Sequence, residues 1–539
     1  MVSWVGNQLE RATGLEPAST SLGSLGLTTW RCPHCCNYTV AGHLRHIKFY
    51  KKQKRWYNVT FRYVSLRYVS RLKHISNIVR KSLYVAKVWS KMSEEKFNFR
   101  ELIEKVNYID PSYYTKYDVK RGLRNADGTG VVTGITNIAN VHGYSIVDGE
   151  KVADEGILRY RGYDLYDLVD AEDPDKRYNF EEIIYLLFTG ELPTQAQLDA
   201  FISVIDEQRE LPDGFTASMF MLETQPDTMN VLARSILQLY AYDKQAEDRS
   251  YEHEISTALS LISRLPRISV HSYYNILHRY KGGSMIMHNF IPGQSTAETI
   301  LSALRPDRQF TKEEARMLDV MLCLHAEHGG GNNSTFTTRV LSSADTDPYS
   351  AYAAAVGSLK GFRHGGANYK VRAMHKELKA EVKNWENEDE VAAYLTKIIR
   401  KEAFDKTGLV YGMGHAVYTK SDPRAVICKR FASKLAEGTE NEAEYKLLES
   451  IEKLTPQVFE QEKGRYKDLC ANIDMYSGFV YALLGIPSEL FTPLFACGRM
   501  PGWAAHRFEE IVSSKRIIRP AYKSTRKSVR EYIPMNERG

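Results

Sequence analysis

Apolar residues recur along most of this chain at the three- and four-residue spacing of helices. MNVLARSILQLY (229–240) puts Met229, Leu232, Ala233, Ile236, Leu237 and Tyr240 on one face. VAAYLTKIIRKEAF (391–404) repeats the pattern at Val391, Leu395 and Ile398, and the run after Met92 does so at Phe97, Leu102, Ile103 and Val106. EEIIYLLFTGELP (181–193) and DMYSGFVYALLGIP (474–487) stop as helices stop, at Gly190 and Gly485, with Pro193 and Pro487 just beyond. Alternating strand patterns are few, and GYSIVDGEKVADEGILRYRGY (143–163) reads as a short hairpin. With no regular β–α alternation and no solenoid-length repeat, the pattern predicts an all-α architecture, in two domains after an N-terminal leader.

Composition changes that picture mainly at the N-terminus. The 539 residues are 43% apolar and can bury a large core, but no apolar run approaches the 18 residues of a membrane span. No secretory signal opens the chain, and seven cysteines without framework spacing suit a reducing, cytoplasmic setting. The net charge of +6 averages two unlike pieces: residues 1–91 hold 16 basic and two acidic residues, residues 92–539 hold 56 and 64. An acidic body is a poor general nucleic-acid binder, since such affinity rests on phosphate neutralisation.

Residues 1–91 allow three readings. The basic leader could be a transit peptide, with Leu72, Ile75, Val79, Leu83 and Ala86 at helical spacing. Cys32, Cys35 and Cys36, with His43 and His46, could form a metal knuckle of non-standard spacing. The favoured expectation is an extension upstream of a true start at Met92.

Candidate chemistry collects in four clusters: HAEHGGGNN (325–333), GFRHGGAN (361–368), GMGHAVYTKSDPRA (412–425) and NIDMYSG (472–478). His325 and His328, three apart, would share one helix face, either as structural histidines or as ligands. His364 precedes a helix that Asn368 could cap, where the positive dipole end disfavours an imidazolium. In the third cluster Gly412 and Gly414 admit a ligand close to His415, and Arg424 can pair bidentately with a carboxylate. Asp474 heads its helix, as an N-cap or as a base. Arg499 sits among small residues, and Arg519 follows in what reads as the same amphipathic helix.

In their order and spacing these clusters, together with EGILRYRGYDLYDL (155–168), closely resemble citrate synthase from about Met92 to Pro520, with GMGHAVYTKSDPRA as the family signature. The resemblance implies a helical homodimer with a large domain (92–366 and 486–539) and a small domain (367–485) that closes over substrate, and a non-homologous extension at 1–91. It implies an acyltransferase that condenses acetyl-CoA with oxaloacetate and hydrolyses citryl-CoA to citrate and CoA, the entry step of the tricarboxylic acid cycle. No metal or permanently bound cofactor is implied, and acetyl-CoA serves as co-substrate.

By the same resemblance Asp474 is the base that takes a methyl proton from acetyl-CoA, and His364 stabilises the enol or enolate. His415 polarises the oxaloacetate ketone. His328, Arg424 and Arg499 hold oxaloacetate, and Arg519 reaches in from the second subunit. No nucleic-acid or membrane partner is expected. 2-Methylcitrate synthases share the motifs and use propionyl-CoA, so that alternative stays open, as does a catalytically silent binding relative.

Overall fold

The computed structural model describes residues 16–17, 30–32, 35–38, 107–170, 178–464, 469–514, 516–526 and 528–538. The chain divides into two compact units, Met1–Asp110 and Pro111–Gly539. In the first, short antiparallel strands β1 (Glu16–Pro17), β2 (Trp30–Cys32) and β3 (Cys35–Tyr38) are the described structure. The leader helix, the helix after Met92, and His43 and His46 of the metal reading lie outside the described residues.

The second unit opens with α1 (Ser112–Lys116) and the expected hairpin, β4 (Ala139–Val147) and β5 (Glu150–Tyr160), joined by β6 (Tyr163–Asp164). The remainder is helical. First come α2 (Leu165–Asp170), α3 (Asn179–Thr189), α4 (Gln195–Gln208), α5 (Phe215–Met221), α6 (Thr228–Tyr240), α7 (Tyr251–Lys281) and α8 (Thr296–Leu304). Then follow α9 (Lys312–His325), α10 (Asn333–Ser343), α11 (Pro348–Leu359), α12 (Ala367–Glu381), α13 (Glu388–Ile399), α14 (Pro423–Ala436), α15 (Glu442–Lys463), α16 (Asp474–Leu483) and α17 (Phe491–Ser513). The all-α reading holds, and no helix among the described residues is long and apolar enough to cross a membrane.

Local signals explain many boundaries. Thr194, Ser295 and Thr311 each form a reciprocal capping box with the residue three further on, satisfying two otherwise orphaned N–H groups. Gly190 ends α3 in the left-handed conformation, as its position suggested. In α13 the expected Val391, Leu395 and Ile398 are buried. In α6 the expected stripe is rotated: Val231 and Leu239 are buried, while Leu237 is 50% exposed. Packing of α6 on α11 and α7 decides its inner face, which a spacing rule locates only approximately.

The core is organised around α17, which packs on α7, α9, α10 and α3. Trp503 is fully buried on it, and Arg507 ties it to α7 through a buried pair with Glu254 (2.6 and 2.7 Å). Close approach to the end of α9 depends on Gly502. A Cβ there would stand 2.3 Å from both the Ala326 carbonyl oxygen and Glu327 Oε2. Gly502→Ala should therefore destabilise the fold by about 1–3 kcal/mol or more through overpacking. Gly357→Ala on exposed helical surface, with open space at its Cβ, should be neutral or stabilising by up to about 1 kcal/mol. Chemical-denaturation midpoints of the two variants check the contrast; equal midpoints would contradict it.

Candidate active site

The site is assembled from helix ends and the turns between them. α9 stops at His325, so His328 projects from the following turn and the expected shared helix face is not formed. Only seven residues, 326–332, separate α9 from α10, and His328 lies among them. His325 stacks on Phe495 of α17 (centroids 4.2 Å) and is buried. His328 is 8% exposed, edge-on to His415 at 5.1 Å and to Tyr418 at 5.5 Å. Among the described residues no three His, Cys, Asp or Glu side chains gather as a metal-binding group.

His364 lies just before α12, and its Nε2 is 3.0 Å from Ser334 Oγ, which also accepts the Trp503 indole N–H at 3.1 Å. Asn368 is not the cap of α12: Gly366 holds that position, and Asn368 lies buried in the first turn, donating to Ser477 Oγ at 2.5 Å. The tertiary bond to α16 outcompetes the local one.

His415 follows Gly412 and Gly414, both at positive φ (87° and 85°), a backbone that a residue with Cβ adopts at a cost. Its Nδ1 accepts N–H bonds from Val417 (3.0 Å) and Tyr418 (3.2 Å), so the neutral ring carries its proton on Nε2. Arg424, in the first turn of α14, does pair bidentately with a carboxylate, but that of Asp422: Nε to Oδ1 is 3.0 Å and Nη2 to Oδ2 is 2.8 Å.

Arg499 on α17 is fully buried. Its Nε donates to the His325 carbonyl at 2.5 Å, its guanidinium lies 5.1 Å from the Phe495 ring centre, and both Nη atoms lack hydrogen-bond partners among the described residues. Asp474 is the first residue of α16, yet it caps nothing: Asn472 Oδ1 accepts the Asp474 N–H at 3.0 Å. Asp474 Oδ1 is enclosed and has no hydrogen-bond partner among the described residues.

Burial sets the protonation states. It pushes Asp474 up to about 7, against the opposing pull of Arg424. It drives His364 and His415 down to about 4, helped by Arg499 and Arg424 respectively, and His328 well below its ordinary value. Arg499 falls to about 10, burial being only partly offset by the Glu327 carboxylate, and so stays charged at neutral pH. Burial opposes the Arg424 charge too, but Asp422 outweighs it and raises that group.

Six of the seven expected residues are therefore linked electrostatically: Arg424, His415, Arg499 and His364 all act on His328, and Arg424 acts on Asp474. The seventh, Arg519, is exposed and stands beyond the end of α17 in an extended segment, not in a continuing helix. Sequence reading missed Tyr418, Phe495, Ser334 and Trp503, the packing partners of the histidines. It also missed Glu327 and His506, a fully buried pair (2.9 Å) under the 325–329 turn. Tyr418 stood inside the third cluster and Glu327 inside the first, though its pairing with His506 was not legible there, and the others carried no local signal.

Neutral imidazoles, a carboxyl near neutrality and two buried guanidiniums are groups suited to acid–base work on an anionic substrate. A profile of the citrate synthase C-terminal domain matches residues 127–521. The chain belongs to the citrate synthase family. It is 34% identical to citrate synthase of Haloferax volcanii, over 73% of this chain and 95% of that protein. It is 33% identical to 2-methylcitrate synthase of Shewanella oneidensis, over 71% and 92%. The solved ternary complex of carboxymethyl coenzyme A and oxaloacetate with citrate synthase from Thermoplasma acidophilum superposes with a TM-score of 0.64 at 27% identity, covering 78% of this chain and 99% of that one. Citrate synthase from Thermotoga maritima gives 0.61 at 28%, with the same coverage.

With aspartate labelled at its side-chain carboxyl carbon, an NMR titration should show one group with a midpoint near pH 7, missing in Asp474→Asn. Titration of every carboxyl below pH 5 would contradict the environment described for Asp474.

Proposed function

We propose that this protein is a citrate synthase that condenses acetyl-CoA with oxaloacetate and hydrolyses citryl-CoA to citrate and CoA, feeding the tricarboxylic acid cycle. The observation that carries the reading is the enclosed Asp474 carboxyl, poised near neutrality within the field of Arg424, which also acts on His328 and His415. A weak carbon acid needs a base whose pKa lies close to the working pH, and a neutral donor for the enol oxygen.

Asp474 removes the methyl proton of acetyl-CoA. His364 stabilises the enol as a neutral imidazole, held in place by the 3.0 Å contact of its Nε2 with Ser334 Oγ. His415 offers Nε2–H to the ketone of oxaloacetate. The two Nη groups of Arg499 suit one substrate carboxylate, and Arg424 and His328 contribute to holding the rest. No metal or resident cofactor enters these steps, and acetyl-CoA is consumed as co-substrate.

The small domain of this reading is 367–485, in keeping with the packing of α13 on α15 and of α12 and α14 on α16. The large domain is 92–366 with 486–539. Closure of one on the other would shield the enol from water. A homodimer supplies the last cation, Arg519 of the second subunit. Exposure of Met221 (84%) on α5, Leu237 on α6, and Tyr522 (93%) and Val529 (99%) after α17 supports such an association, since large apolar groups favour a partner. A cytoplasmic location fits the buried thiols of Cys428, Cys470 and Cys497.

The match to the Shewanella protein favours one second reading, 2-methylcitrate synthesis from propionyl-CoA. A methylene changes selectivity by only about 1–3 kcal/mol, so thiol release with oxaloacetate and each acyl-CoA decides it. Faster turnover with acetyl-CoA is expected; a propionyl preference would replace the proposal.

Asp474→Asn should lower kcat by roughly 10²–10⁴-fold, the usual worth of a general base. In the wild type kcat/KM should fall as pH drops through about 7, because only the ionised form accepts a proton. Ionising this raised carboxyl works against folding, so Asp474→Asn should not lower the melting midpoint at pH 8. Near-normal turnover of the variant would contradict the assignment. Mixed Arg519→Ala and Asp474→Asn subunits should regain activity in heterodimers through one intact site, and verified heterodimers without activity would refute the shared site.

A further inference from the structure

The hairpin carries an irregularity whose backbone groups are completed by the site. His142 pairs with Ile157 and Tyr144 with Ala153, so Gly143 alone on β4 faces Asp154, Glu155 and Gly156 on β5. A bulge of this kind takes its extra residues out of the ladder, and buried N–H and C=O groups must then find partners elsewhere. They find them in the segment between His415 and Arg424.

Thr419 Oγ1 accepts the Asp154 N–H at 3.1 Å and shares its proton between the carbonyls of Gly143 and Asp154. Ser421 Oγ accepts the Gly156 N–H at 3.0 Å and donates to Glu155 Oε2 at 2.5 Å. The backbones touch: a Cβ on Gly143 would be 2.6 Å from Tyr418 Cα, and one on Gly156 would be 2.1 Å from the Ser421 carbonyl oxygen. On the hairpin side His142 Nε2 (2.9 Å) and the Ser145 hydroxyl (3.1 Å) hold the Asp154 carboxylate, which steadies the bulge.

We infer that the β4–β5 bulge is a positioning device for His415, acting through Thr419 and Ser421 on the Val417 and Tyr418 N–H groups that fix the ring's tautomer. Two hydroxyls pin residues 419 and 421 to a rigid hairpin, and residues 417 and 418 just before them supply the donors to Nδ1. A loosened 417–421 turn would release Nδ1 to take the proton and would turn Nε2–H away from the ketone. Thr419 and Ser421 are positioning residues, since neither needs to touch substrate. The role assigned to His415 rests on the proposed citrate synthase reading. The hold on its tautomer does not.

The experiment compares the full-length wild type with Thr419→Val, Thr419→Ser and Ser421→Ala by two readouts. Histidine-selective ¹⁵N spectra, with His415→Gln to assign the signal, report the tautomer without substrate. Steady-state thiol release with oxaloacetate and acetyl-CoA, per correctly folded site, reports catalysis.

The expected result is a shift of the His415 signals away from the Nε2–H tautomer in Thr419→Val. It should come with a fall in kcat of roughly 10- to 10²-fold at unchanged acetyl-CoA KM. Thr419→Ser, which keeps the hydroxyl, should restore both, and Ser421→Ala should fall between. Unchanged ¹⁵N signals in folded Thr419→Val and Ser421→Ala would overturn the inference, even if activity fell, because the loss would then be merely structural. Should the wild type release no thiol, the functional reading fails by itself, and the spectra still decide the hold on the ring.

Discussion

A guanidinium sealed inside a helical core is the constraint to which much of this molecule answers. Removing such a charge from water costs several kcal/mol, and attraction must return most of it. Around Arg499 that attraction is distributed: the His325 carbonyl takes Nε, the Phe495 ring faces the cation, and the Glu327 carboxylate lies close enough to favour its charge. Glu327 is itself buried and is kept ionised by His506 and the Gly329 N–H, while His506 Nδ1 accepts from Arg339, which pairs with Glu510. The chain of partners runs from the site to the outer turn of α17. It requires α17 to approach the 325–329 turn closely, hence glycine at 502.

The same burial that strains Arg499 makes the acid–base groups useful. In water an aspartate and three histidines would all titrate away from their tasks at neutral pH. Enclosure moves them in opposite senses, the carboxyl upward and the imidazoles downward, because it penalises whichever form is charged. Arg424 forms the exception, a guanidinium kept charged in the core by its close bidentate pair with Asp422. The site thus holds its cations fixed, keeps its imidazoles neutral and leaves the Asp474 carboxyl poised between its two forms.

Shared motifs set the chemistry of the family, and finer selectivity lies in the packing around them. A citrate synthase and a 2-methylcitrate synthase match this chain at nearly equal identity. That is the expectation when a small pocket difference, worth a few kcal/mol at most, separates one acyl-CoA from another.

Much was legible in the chain itself. Helical spacing, the stops at Gly190 and Gly485, the hairpin and the four clusters each depend on residues near one another in sequence, and local chemistry suffices to read them. The order of the clusters marked the family and the residues that meet in the site. Tertiary structure alone decided which local options were realised. His328 left the helix, Asn368 gave up capping for Ser477, Asp474 ceded the N–H bond to Asn472, and Leu237 turned outward. Only the fold could pair Glu327 with His506 across 179 positions, or Thr419 with Gly143 across 276. Such bonds depend on which backbone groups the packed chain leaves unsatisfied, a quantity that no local pattern encodes.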